Sequence, residues 1–66
     1  MVTMDQVRDG RTQACVARMF NMSMTQYRNY ELGRTRIPAD FFLRFCKRFS
    51  VDPYEVMVPG EKYENQ

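Results

Sequence analysis

Three residues, Asn21-Met22-Ser23, separate two segments that both carry helical signals, and so short a connection forces the two helices into a tight corner. The first segment opens on Thr12, a helix-capping residue type, and sets Val16, Ala17 and Phe20 on one stripe. Asn21 ends it, because Asn is the non-glycine residue that best tolerates a left-handed backbone. The second segment opens on Ser23, which with Gln26 has the spacing of a capping box, and continues through Tyr30. At about 100° per residue, Tyr27 and Tyr30 fall on one side of this helix. Met24, Thr25, Arg28 and Asn29 fall within an arc of about 140° on the other. The tyrosines belong in a core, and the mostly polar arc faces outward.

The rest of the chain reads in the same way. Thr3 and Gln6 have capping-box spacing for a short helix reaching about Asp9, with Gly10 as its stop and Met4 and Val7 on one face. A loop over residues 32–37 holds the turn residue Gly33 and two arginines, Arg34 and Arg36, flanking Thr35. A fourth helix starts near Pro38. Asp40 lies at the positive end of its dipole, Lys47 and Arg48 at the negative end, and Phe42, Phe45, Cys46 and Phe49 are expected to form its buried face. Asp52-Pro53-Tyr54-Glu55 announces a fifth helix that Pro59-Gly60 ends. Strand signals are nearly absent. The expectation is an all-α, compact five-helix domain over residues 1–58, followed by a polar, flexible tail over 59–66.

Composition narrows the function. A chain of 66 residues makes one domain. A domain this small buries only about 60% of the surface its unfolded chain exposes, so pairing with a second subunit would help it. The chain has no histidine, which excludes a Cys–His dyad and any metal site built on His. Cys15 and Cys46 are too far apart in sequence to make a zinc site and are expected as buried or half-buried residues of a reducing compartment. No phosphate loop or dinucleotide glycine motif occurs, and the acids are scattered. These features argue against an enzyme, a cofactor or a metal. No secretory signal and no apolar run of about 18 residues is present, so a cytoplasmic protein without a membrane span is expected. Net charge is only +2, but residues 1–51 hold nine of the ten Lys/Arg and four of the eight Asp/Glu. A basic body with an acidic C-terminal stretch suits a polyanion ligand on one side.

Thr12-Gln13, Val16-Ala17, Met22-Ser23, Tyr30-Glu31-Leu32-Gly33, Ile37-Pro38-Ala39-Asp40 and Val51 stand in the order and spacing of one known family. The chain resembles the phage Cro/repressor (XRE-like) helix-turn-helix family over about residues 4–57. It departs in a shorter first helix, in Arg11 where the family has an apolar residue, in Asn21 for the usual turn glycine, and in Met24 at a position often held by a polar reader. The resemblance implies a lambda-repressor-like domain whose third helix enters the DNA major groove. It implies that Gln13 meets a phosphate, that Met24, Thr25, Arg28 and Asn29 meet base edges, and that Arg34 and Arg36 hold the backbone. It also makes Arg8 the structural partner of Glu31, an acid that would otherwise sit badly at a helix C-terminus.

The chemistry of these side chains agrees with such roles. Asn29 can pair bidentately with adenine, Arg28 can fork onto guanine or hold a phosphate, and Met24 and Thr25 can offer methyl groups to thymine. The expected protein is a sequence-specific regulator of transcription, a repressor before an activator. It would bind a palindromic double-stranded operator as a homodimer through Tyr54, Val56, Met57 and Val58. The alternative is an antitoxin-like interaction module that binds DNA secondarily, for which the acidic stretch over 52–66 speaks.

Overall fold

The computed structural model describes residues 1–59. It is all-α among those residues, with helices α1 (Met4–Arg8), α2 (Gln13–Met19), α3 (Met24–Leu32) and α4 (Ala39–Arg48), and a single 3-10 turn at Pro53–Glu55. Helix starts follow the capping residues. Thr3 and Gln6 make both bonds of a capping box, Thr12 accepts from the Cys15 N–H, and Ser23 accepts from the Gln26 N–H. The Ser23 box is only half made, because the Gln26 side chain donates to the Tyr30 hydroxyl instead.

Three helices end in the same device. After α2, the Asn21 N–H reaches the Arg18 carbonyl and the Met22 N–H reaches Ala17. After α3, Gly33 bonds to Tyr30 and Arg34 to Asn29; after α4, Ser50 bonds to Lys47 and Val51 to Cys46. These paired bonds require a left-handed residue at the turn, supplied by Asn21 (φ 57°), Gly33 (φ 76°) and Ser50 (φ 57°). After α1 the positive-φ residue is Asp9 (φ 54°, ψ −139°), which lies outside the left-handed helical region, and not the expected Gly10.

Among the described residues, four helices are found where five were expected. The Asp52 carboxylate caps the Tyr54 N–H and Pro53 starts a turn, as read from the sequence, but the turn stops at Glu55. Val56 then extends beside Val2 in a parallel bridge, with the Val2 N–H donating to the Glu55 carbonyl and the Met57 N–H to the Val2 carbonyl. Val56 and Val58 are β-branched and alternate in strand fashion, and pairing with the N-terminus gives that pattern its hydrogen bonds. Of the tail expected over 59–66, only Pro59 lies among the described residues.

The core is Met4, Val16, Ala17, Tyr27, Tyr30, Phe41, Phe45, Cys46 and Val56. Phe45 is its hub, with ring centroids 4.9 Å from Phe49, 5.9 Å from Phe20, 6.2 Å from Phe41 and 6.4 Å from Tyr27. On α4 the expected face holds at Phe45 and Cys46, is only half-buried at Phe49, and is corrected at Phe42. Phe41 is buried and Phe42 only half-buried, because Phe41 lies 5.2 Å from both Tyr30 and Phe20 and closes the gap between α2 and α3. Cys15 is exposed, against expectation, while Cys46 is buried; both are free thiols.

Phe45→Ala should cost about 3–5 kcal/mol and leave the chain largely unfolded at 25 °C, while half-buried Phe49→Ala should cost less. Urea unfolding followed by circular dichroism checks the order; a more damaging Phe49 variant would displace Phe45 from the centre of the core.

Candidate nucleic-acid interface

Helix α3 is anchored by its inward tyrosines. Tyr27 is fully buried and Tyr30 nearly so, which turns the opposite arc to solvent. Met24, Thr25 and Arg28 are exposed on that arc, and Asn29 is half-buried at its edge. Met24 keeps 45% of its surface exposed. The sequence reading ended the helix near Tyr30, but α3 continues to Leu32. Leu32 consequently falls inside the outward arc, at about 80° from Met24 by helical rotation, and is 52% exposed. It also lines a hollow of about 480 Å³ with Gln13, Glu31 and Met57, a placement the loop reading had hidden.

Arg34 and Arg36 are exposed on the α3–α4 loop. The Arg34 backbone is fixed to α3, since its N–H donates to the Asn29 carbonyl at 2.9 Å. Arg18, not singled out from sequence, is also exposed and shares a shallow hollow of about 420 Å³ with Asn21, Ser23 and Met24 at the α2–α3 corner. Among the described residues the only ion pair is Arg8–Glu31, so the charges of Arg18, Arg28, Arg34 and Arg36 have no acidic partner there. Arg11, the departure noted above, packs its guanidinium over the Phe49 ring at 5.5 Å.

Gln13 begins α2 and is half-buried. Its Nε2 donates to Glu31 Oε1 at 2.9 Å. Glu31 also accepts from Arg8, Nε to Oε2 at 2.7 Å and Nη2 to Oε1 at 3.2 Å, and its side chain is 6% exposed. The expected Arg8–Glu31 pair is therefore present as a two-pronged bridge between α1 and α3. Burial pushes the Glu31 carboxyl up, but the bonds from Arg8, the neighbouring Tyr27 hydroxyl, the bond from Gln13 and the Arg8 charge outweigh it and hold the group below its ordinary 4.5. The Tyr27 hydroxyl is buried with no hydrogen-bond partner of acceptable geometry, and burial, then the Glu31 carboxylate, pushes it far above its ordinary value.

The dimer surface expected from sequence is corrected at one residue. Val56 is buried in the core and 4% exposed, because it pairs with Val2. Tyr54 and Met57 are 89% and 45% exposed, and Val58 is half-buried. No helix among the described residues is long and apolar enough to cross a membrane. Compared with known proteins, the chain matches no family model, and no curated protein matches it.

The depressed Glu31 carboxyl makes acid stability testable. Its contribution is present in full above the unfolded value near 4.5 and lost as pH falls through the lower folded value. Replacing both partners, Arg8→Met/Glu31→Leu, should make the fall of Tm below about pH 5 shallower than in the parent chain. Thermal melts at a series of pH values check this; identical acid limbs would remove Glu31 from the cause.

Proposed function

We propose that the chain is a lambda-repressor-like helix-turn-helix protein that binds double-stranded DNA sequence-specifically and represses transcription in the cytoplasm. The observation that carries this reading is the outward face of α3. Met24, Thr25, Arg28 and Asn29 lie on one arc of a helix whose other side is locked into the core, with Arg34 tied to Asn29 beside them. A helix held in this way fits the major groove, which is wide enough to admit one. Asn29 reads adenine, Arg28 reads guanine or holds a phosphate, and Met24 and Thr25 meet thymine methyl groups. Gln13, Arg34 and Arg36 hold the phosphates, and Arg18 is added to this set.

One such domain reads only a few base pairs. Two copies related by a two-fold axis would double the readout and place half-sites about 34–36 Å apart. Exposed Tyr54 and Met57 with Val58 are the residues through which this dimer would form. A dimer seated across a promoter blocks polymerase.

Selection of bound sequences from a random duplex library by the purified chain tests the reading. A two-fold-symmetric motif is the expected result. No enrichment from folded protein would end the DNA reading and favour a protein-interaction module. On the selected operator, Asn29→Ala should cost about 1–3 kcal/mol and relax specificity at one base position. Arg34→Ala should weaken binding to every sequence alike and flatten the salt slope by about one unit. Titrations at several salt concentrations separate the two, and a uniform loss for Asn29→Ala would contradict base readout.

A further inference from the structure

A glutamine side chain can hold a phosphate only when an N–H faces it, and the two ends of the amide are nearly the same size and shape. In this chain Glu31 decides which end points where. An ionised carboxylate has no proton and can only accept. The group 2.9 Å from Glu31 Oε1 is therefore the amino end of Gln13, and a flipped amide would set two acceptors against each other. One N–H of Nε2 is engaged by Glu31, and the second remains to donate.

Glu31 is itself immobilised. Arg8 grips both carboxylate oxygens, and its remaining nitrogen, Nη1, donates to the Arg11 carbonyl at 2.8 Å, in the loop that leads into α2. The Arg8 and Glu31 side chains are 20% and 6% exposed, and with the half-buried Gln13 amide they line a hollow of about 480 Å³. Gln13, the first residue of α2, adds a third donor that helps satisfy the buried carboxylate, and the bond leaves its amide with a second N–H.

We infer that Glu31 is a positioning residue for DNA binding: its carboxylate, held by Arg8, fixes the Gln13 amide with an N–H free for a backbone phosphate oxygen. This rests on the reading of Gln13 as a phosphate contact. The ordering of a flexible side chain is then completed on folding and no longer opposes association.

The test is a double-mutant cycle on the full chain, read by titration of a labelled mixed-sequence duplex of about 30 base pairs at about 50 mM salt. Gln13→Ala is measured in the parent chain and in the Arg8→Met/Glu31→Leu background, which removes both charges together and leaves neither one orphaned. Melting curves confirm that each variant is folded. Should that background unfold, Glu31→Gln replaces it, because a neutral amide both donates and accepts and no longer dictates which end of Gln13 faces it. Gln13→Ala is expected to weaken binding about tenfold in the parent chain, the size of one hydrogen bond to a charged group, and less than about twofold in the altered background. Equal losses in both backgrounds would overturn the positioning role and leave the DNA reading intact. No loss in the parent chain would overturn it at the Gln13 contact, again without touching Asn29. Failure of the parent chain to bind any duplex would remove the DNA reading together with it.

Discussion

The fold depends on how much apolar surface so short a chain can gather in one place, and aromatic rings are what it uses. Phe45 stands at the centre of a cluster that reaches α2 through Phe20 and α3 through Tyr27, while Phe41 adds Tyr30. Each ring contributes more buried area than an aliphatic side chain, at the cost of few rotatable bonds. α4 acts as a wedge beneath the α2–α3 corner. Because two tyrosines of α3 are caught in this cluster, rotation of α3 about its axis would expose both of them. The direction of its polar face is therefore set by the core, and the surface offered to a ligand follows from packing.

The ion pair does something the aromatic cluster cannot. α1 is five residues long, too short to be stable by its own hydrogen bonds. It is held by Met4 in the core, by its complete capping box, and by Arg8 on Glu31. Glu31 lies near the C-terminus of α3, where the helix dipole repels an acid. A buried pair of this kind adds little net stability over well-packed apolar residues, yet removing one member leaves a charge stranded. The arrangement thus contributes more to fixing where α1, α2 and α3 sit relative to one another than to overall stability.

Capping residues and aromatic spacing were legible in the sequence because each is a local signal with one physical meaning. Thr3, Thr12, Ser23 and Asp52 all cap the turns they announced, and Tyr27, Tyr30 and Phe45 are buried. The misreadings are of another kind, since each was decided by a distant partner. Asp52-Pro53 opens a turn, but whether it becomes a helix depends on Val2, more than fifty residues away, which takes Val56 into a bridge instead. Phe41 and Phe42 are neighbours with identical chemistry, and only the place of Tyr30 and Phe20 decides which is buried. Ser50 in a left-handed conformation carries no local signal, because serine has no preference for it; the end of α4 imposes it. The outward arc of α3 was readable from rotation alone, whereas Leu32 was missed because the helix was ended two residues too soon.

The exposed apolar residues on that arc bear on what would dock there. Met24 lies beside Thr25, Arg28 and Asn29, with Leu32 further along the same helix, so the surface mixes apolar groups with donors and is bordered by arginines that have no acidic partner among the described residues. A duplex groove presents the same mixture, thymine methyls among donor and acceptor edges, between two rows of phosphates. In the proposed complex, the apolar residues would carry part of the base discrimination, and the arginines would carry most of the affinity. The two properties would then separate in their dependence on salt, with discrimination surviving ionic strengths at which affinity has fallen.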